Sequence, residues 1–264
     1  MNKVIRAEFG RTINAGLIIA IAGIIFSICF DSFNDLIAGL RNGQGYVGYF
    51  FSNAAFGGMC THYMLPVFTA LPFSVSLSQE RNNKAVSYIV SREGKNRYIF
   101  AKFIVSAISG GFVAACGTVL LFLMLAMRFP IAGDEFEGAV VSDYFHEWSA
   151  VYYPQLYILT LSILAFCRGV IWSSLALCVS LYTSDFMVVL LSPFLGSYVL
   201  VRIFQIIRVP DMVRPDMILI GQVVIKSSGL TLIIAIAISL TIVTLIGAFF
   251  VGKMKEGLKS GTIY

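Results

Sequence analysis

The chain is poor in charge. Only 12% of its 264 residues are Asp, Glu, Lys or Arg, while 58% are hydrophobic. A soluble domain carries about 25% charged residues, so a surface this apolar suits lipid better than water. The alternating ten-residue segments of a membrane β-barrel are also missing. These absences favour an all-α integral membrane protein, which we expect to form a single domain over residues 1–264.

Sequence motifs typical of enzymes are missing as well. No G-x-x-x-x-G-K-[ST] loop, G-x-S-x-G elbow or H-E-x-x-H helix occurs. Histidine is limited to His62 and His146, and the five cysteines have irregular spacings without a C-x-x-C pair. No basic run interleaves with aromatics outside the apolar segments. We therefore expect a non-catalytic chain that binds no metal, no other cofactor and no nucleic acid.

Long apolar runs are abundant, and a bilayer core takes about 20 helical residues to cross. We predict six transmembrane helices, of which the second contains Pro66 and Pro72 and should be kinked. The predicted spans are Ala15–Phe30, Gly58–Leu77, Tyr98–Met127, Gly169–Tyr182, Phe186–Phe204 and Gly229–Gly252.

Small residues recur at every fourth position in the third span. Ser106, Gly110 and Ala114 form one such series, and the series of residues 107, 111 and 115 runs beside it. This spacing lets another helix approach closely. The neighbour is either a helix of the same chain or one from a second subunit.

The segments between the spans carry the remaining topology. Residues 1–14 place apolar side chains on one helical face, which predicts an amphipathic interfacial helix. We expect an outer acidic loop at 129–152, whose spacing fixes no metal geometry, and a short outer helix within 205–228. Twelve Lys and Arg fall in predicted inner segments and six in outer ones. This bias predicts a multi-pass protein of a bacterial plasma membrane with both termini cytoplasmic.

Arg168 lies inside the longest apolar run, Tyr153–Tyr182. At about 1.5 Å per residue, that run would form about 45 Å of helix, more than one crossing needs. We therefore expect a break near Arg168, with Tyr153–Phe166 as a short outer helix and Arg168 at the interface. The alternative is that Arg168 lines an outward cavity on the substrate path and meets an anionic group, since an unpaired charge is costly in the membrane.

One polar segment, residues 78–97, joins the second and third spans on the inner side. Ser78 is a suitable N-cap, and Glu80 in the first turn suits the helix dipole. These signals predict one helix over Ser78–Val90, with an apolar stripe that could enter a groove of a soluble partner. A plain positive loop is the alternative. The predicted partner contacts are Glu80, Arg81, Lys84, Val86, Ile89 and Val90.

This segment resembles the first cytoplasmic loop of ABC-2 type transporter permeases. In that family an acidic–basic pair opens a coupling helix, and a turn leads into the third span. The whole layout is similar too, from the N-terminal amphipathic helix to the outer helices between spans five and six. The residues that carry the resemblance are Glu80-Arg81, Ser87, Ile89-Val90-Ser91, Arg97, Lys102 and the pattern Gly169-x-x-Trp172-Ser173.

The resemblance implies the permease subunit of an ABC exporter. Two permease chains, identical or related, would form the substrate path, and separate ABC ATPase subunits would bind ATP and Mg and push the coupling helix. The exported compound would be a peptide, a drug-like molecule or a lipid-like molecule. Two other classes stay open. One is an ATP-independent secondary transporter or channel, and the other is an immunity or sensor protein that binds a peptide at its outer face.

Overall fold

The computed structural model describes residues 2–42, 47, 50–51, 58–130, 153–223 and 225–260. Helices joined by short connections make up this part of the chain, and it contains no strand. The prediction of an all-α fold is therefore confirmed. The helices are α1 (Asn2–Thr12), α2 (Ala15–Asp31), α3 (Phe33–Asn42), α4 (Met59–Ala70), α5 (Ser76–Asn82), α6 (Val86–Glu93), α7 (Lys95–Ala126), α8 (Pro154–Val179), α9 (Phe186–Ile207), α10 (Pro215–Ile220) and α11 (Ser228–Ser260), with a short 3-10 helix at Asp211–Val213.

Among the described residues, four helices are long and apolar enough to cross a membrane, namely α7, α8, α9 and α11. The pair α1 and α2 passes the same test together, although the two helices meet at an angle of 58°. The bend lies at the connection to α2, where the Asn14 side chain accepts a hydrogen bond from the Leu17 backbone N–H and caps the helix. The described part of the chain is thus all-helical, with four or five helices that qualify as candidate membrane spans.

The predicted second span is divided into two helices. α4 ends at Ala70, and α5 begins only at Ser76. Pro72 lies in the break, where its missing N–H and its ring prevent a regular helical turn. The break is anchored by Ser74, whose hydroxyl donates to the Ser173 carbonyl oxygen at 2.9 Å. A proline effect was expected here, and it interrupts the helix rather than bending it.

The predicted break near Arg168 is wrong, because α8 runs from Pro154 to Val179 without interruption. Consequently Tyr153–Phe166 is not a separate outer helix. The glycine beside the arginine serves a different purpose: a Cβ on Gly169 would lie 2.4 Å from the carbonyl oxygen of Gly110 in α7. The small residues of the third span therefore pack against a helix of the same chain, which was one of the two expected alternatives.

The single helix predicted over Ser78–Val90 is also wrong. α5 and α6 are separated by a turn in which Lys84 has a φ of 52°, a backbone conformation that non-glycine residues seldom adopt. Ser78 is no N-cap; it is buried within α5, and its hydroxyl donates to the Val75 carbonyl oxygen. Gly94, with a φ of 85°, ends α6.

The other predicted segments agree with the structure to different degrees. The short helix expected within 205–228 corresponds to α10, and the last span continues beyond its predicted end at Gly252 to Ser260. The helix expected in residues 1–14 is α1. Of the predicted acidic loop 129–152, residues 131–152 lie outside the described residues.

Candidate functional site

A buried cluster of charges connects three helices at one end of the bundle. Lys102 of α7 is completely buried, and its Nζ lies 2.7 Å from Glu80 Oε1 and 3.0 Å from Glu8 Oε2. Arg11 Nη1 lies 2.6 Å from Glu80 Oε1 and 3.3 Å from Glu8 Oε1. We call Glu8, Arg11, Glu80, Tyr98 and Lys102 the Lys102 cluster. Its two cations balance its two carboxylates.

The sequence places the cluster residues by simple helical spacing. Tyr98 and Lys102 are four residues apart and therefore lie on one face of α7. The Tyr98 hydroxyl donates to Glu80 Oε2 at 2.5 Å, and the Lys102 ammonium lies 4.8 Å from the centroid of the Phe73 ring. Since every charge has a partner, the cluster suits a mechanical link between α1, α5 and α7 rather than a site for a ligand.

Most of the predicted partner contacts lie inside the protein. Glu80 is occupied by the Lys102 cluster, and Val86 and Val90 pack in a buried apolar group with residues of α7, α8 and α11. Arg81 Nη1 donates at 3.0 Å to the carbonyl oxygens of Ser180 and Leu181, directly after α8.

The remaining predicted contacts are more open to a partner. Ile89 is half-buried, and Lys84 is exposed in the turn between α5 and α6. Tyr88 of α6 is also 78% exposed. That the six predicted residues bind an ATPase stays a prediction, and the structure places Lys84 and Tyr88 where a partner has direct access.

Arg168 has quite different surroundings. It lies in the middle of α8, is only 9% exposed and lines a cavity of about 160 Å³ together with His62, Arg214 and Asp216. Within the described part of the chain, its guanidinium makes no hydrogen bond and has no carboxylate oxygen within 4.0 Å. The alternative expectation, an arginine lining a cavity, therefore describes this position better than the interfacial one.

The acidic residue of this cavity is already occupied. Asp216 receives two hydrogen bonds from Arg214, at 2.7 Å from Nη2 and 3.3 Å from Nε. Asp211 lies 3.3 Å from the same guanidinium. The hydrogen bond to Asp216 raises the pKa of Arg214, so this arginine stays charged. Arg214 and Asp216 thus pair with each other, which leaves Arg168 without an ion pair among the described residues that line the cavity.

Two more polar side chains at the cavity have no hydrogen bond. Thr61 Oγ1 is buried without a hydrogen-bond partner, and the His62 ring has an edge-on contact with Tyr63 but no hydrogen bond within the described residues. Both belong to the first turn of α4, where the Asp31 carboxylate accepts hydrogen bonds from the backbone N–H groups of Cys60 and Thr61. This cap holds the start of α4 against α2 and positions both side chains.

An apolar compartment continues from the polar one. It also has a volume of about 160 Å³ and shares His62, Arg168 and Asp216 with it. The rest of its lining comes from α8, α9, α10 and α11. Those residues are Ile171, Trp172, Leu175, Gly196, Ser197, Leu200, Val201, Pro215, Leu219, Ile220, Ile242 and Ile246.

Sequence reasoning identified Arg168 but missed the partners of Lys102. A signal was available for Lys102, because this cation stands in the apolar run 98–105, where it needs a buried counter-charge. Nothing local pointed to Glu8, which lies 94 residues away in sequence.

No family model, curated protein or solved structure matches this chain. Among the described residues, no group of three His, Cys, Asp or Glu side chains could hold a metal ion.

Proposed function

We propose that the chain is the permease subunit of an ABC transporter of the ABC-2 type. It pairs with a second permease chain, identical or related, and separate ATPase subunits bind ATP and Mg and drive it. It exports a peptide, a drug-like compound or a lipid-like compound. In this proposal the chain crosses a bacterial plasma membrane six times, by α2, the interrupted pair α4–α5, α7, α8, α9 and α11, with both termini cytoplasmic.

The observation that supports the proposal is the attachment of the α5–α6 segment to several long helices. Glu80 binds Lys102 of α7 and Arg11 of α1, and Arg81 binds the carbonyl groups after α8. A force applied to α5 and α6 would therefore reach three helices through short charged contacts. Because one-sided removal of a buried ion pair leaves an uncompensated charge, such contacts resist being pulled apart.

The burial pattern also changes which residues should meet the ATPase. Val86 and Val90 attach α6 to the bundle, so the ATPase would contact the opposite face. Tyr88 is a large exposed side chain of that face. Lys84 precedes it by four residues and Arg92 follows it by four residues, so both lie about one helical turn away in sequence. Tyrosine and arginine are common energetic centres of protein interfaces.

The test uses the chain together with the ATPase of a neighbouring reading frame that carries the G-x-x-x-x-G-K-[ST] loop. Co-expression should yield a complex that hydrolyses ATP in proteoliposomes. Tyr88→Asp should weaken association at least about tenfold, because a central interface residue contributes about 2 kcal/mol or more. The matched control is Tyr153→Asp, since Tyr153 is also exposed but precedes α8.

Other outcomes would favour the other classes of protein. Unchanged association of Tyr88→Asp would refute the proposed contact. Solute flux through the purified chain without any ATPase would identify a secondary transporter or channel. Binding of an external peptide without flux or ATPase association would identify an immunity or sensor protein.

A further inference from the structure

We propose that the cavity at Arg168 binds an amphiphile with an anionic headgroup and an apolar tail. The headgroup binds Arg168, and the tail lies along Ile171, Trp172 and Leu175 of the same helix. As a binding site, this proposal depends on the cavity alone. As the class of compound that the chain exports, it rests on the proposed permease function.

The anionic headgroup is inferred from Arg168, which has no hydrogen-bond partner among the described residues. A guanidinium is permanently charged and presents five N–H donors, which bind a carboxylate or phosphate in a two-pronged geometry. Arg168 is buried, faces a cavity and makes no hydrogen bond to any described residue. An anion in the cavity would supply the missing counter-charge and accept these donors. Thr61 Oγ1, also without a partner, could donate to the same group.

An internal carboxylate does not fulfil this role. Asp216 lines the cavity but binds Arg214 with two hydrogen bonds. Arg214 in turn has Asp211 as a second acidic neighbour. Arg168 makes no ion pair with these two aspartates, and the second of them, Asp211, is 69% exposed to solvent. The N–H donors of Arg168 are therefore available to a ligand.

The apolar tail of the ligand is inferred from the apolar compartment that adjoins the polar cavity. From Arg168 to Leu175, α8 rises by about 10 Å, and its side chains border the apolar compartment over that distance. Leu200 and Val201 of α9 and Ile242 of α11 line other parts of it. A ligand with a charge at one end and a hydrocarbon chain at the other matches both compartments, because each part meets side chains of its own polarity.

The test measures binding to the purified chain in phosphatidylcholine nanodiscs, without any ATPase. The chain has two tryptophans, so Trp148→Phe leaves Trp172 in the apolar compartment as the only tryptophan. Brominated decanoate should quench Trp172 saturably. Arg168→Gln should raise the apparent Kd at least about tenfold, as expected for losing a hydrogen bond to a charged group. The control Arg128→Gln removes an exposed cation after α7 and should change the Kd less than twofold.

A second arm separates a free amphiphile from a membrane lipid. Brominated phosphatidylglycerol replaces part of the nanodisc lipid, and excess unlabelled decanoate is then added. Quenching that Arg168→Gln abolishes supports the anion site. Relief of that quenching by decanoate shows that a free amphiphile competes with the lipid for the site, and persistence assigns the site to the lipid headgroup.

Two results would overturn the proposal. One is equal affinity of brominated decanoate for the Arg168→Gln variant and its parent. The other is equal affinity of the parent for brominated decanol, which has the same tail without the charge. The decanol comparison needs no substitution at Arg168, so it decides the question even if that variant does not fold. Because no ATPase is present, a failure here leaves the permease proposal to its own test.

Discussion

Lys102 and Arg168 are both cations buried within the helical bundle, but their surroundings differ. Lys102 has two carboxylates within 3.0 Å and belongs to a cluster with equal numbers of both charges. Arg168 has no carboxylate within 4.0 Å among the described residues and faces a cavity. The first pattern is typical of a structural connection, whereas the second is typical of a binding site.

The two cations also lie at different positions along their helices. Lys102 lies seven residues after the start of α7, or about 10 Å along its axis, which is near the end of the helix. Arg168 lies 14 residues after the start of α8, or about 21 Å along, which is near its middle. The cation with the greater need for a counter-charge is thus the one that lacks it. The comparison leads to four predictions.

The largest expected effect is that of Lys102→Met. The change leaves the carboxylates of Glu8 and Glu80 without their buried ammonium partner, so the free energy of unfolding should fall by about 3–5 kcal/mol. Circular dichroism during SDS-induced unfolding in mixed micelles measures this. Lys95→Met is the matched control, because Lys95 is an exposed cation of the same helix and should change stability by less than about 0.5 kcal/mol. Equal losses would show that the cluster contributes nothing specific.

Gly169→Ala tests the close contact between α7 and α8, the helix that carries Arg168. The new methyl group would lie 2.4 Å from the carbonyl oxygen of Gly110, so the two helices would have to separate. We expect a loss of about 1–3 kcal/mol in the same unfolding assay. In the control Gly252→Ala the methyl group meets no atom within 4 Å, and helix propensity should make it neutral or stabilising. Equal stability of both variants would contradict the close helix contact.

Arg168→Leu should have the opposite sign to Lys102→Met. The substitution removes a buried charge that has no internal partner, so the free energy of unfolding should rise by about 1 kcal/mol. The measurement is unfolding in a zwitterionic detergent, which supplies no anionic amphiphile. Arg128→Leu, at an exposed position, should leave stability unchanged. A loss as large as that of Lys102→Met would mean that Arg168 is compensated after all.

The smallest effect on stability is expected at Arg81, which connects α5 to the residues after α8. Arg81→Ala removes two hydrogen bonds to the carbonyl groups after α8, and stability should fall by about 0.5–1 kcal/mol. Arg92→Ala is the control, because Arg92 is exposed and its ion pair with Glu93 should contribute nothing measurable. If both variants behaved alike, the contact of Arg81 with α8 would have no energetic weight.

The sequence predicted α7, α9 and the start of α11 well. α7 and α9 lie within three residues of their predicted bounds, and α11 begins within one residue. The reason is that lipid and protein interior both exclude charge, so hydropathy marks a helix whichever of the two it faces. The interruption of the second span came from Pro72, whose effect on a helix is local and therefore visible in sequence.

The errors occurred where a tertiary contact decides the structure. Arg168 suggested a helix break, but a charged residue in mid-helix needs only a cavity, not an end. The internal partners of Glu80 were not predicted, because Lys102 and Arg11 lie 22 and 69 residues away in sequence. Lys84 adopts a positive φ in the turn between α5 and α6, although the sequence has no glycine there that would indicate such a conformation. A single sequence does not reveal such contacts, because its local patterns extend over only a few residues.

The close contact of Gly110 with Gly169 has a mechanical consequence. Gly110 lies near the middle of α7, with about 22 Å of helix before it and about 24 Å after it. If α7 pivoted as a rigid rod at this contact, its two ends would move by similar distances in opposite directions. The arm that bears Lys102 is attached to α1 and α5, and just past the far end Phe129 contacts the ring of Phe50 at 4.9 Å. Such a pivot would couple a displacement of α5 to an opposite displacement at Phe129 and Phe50.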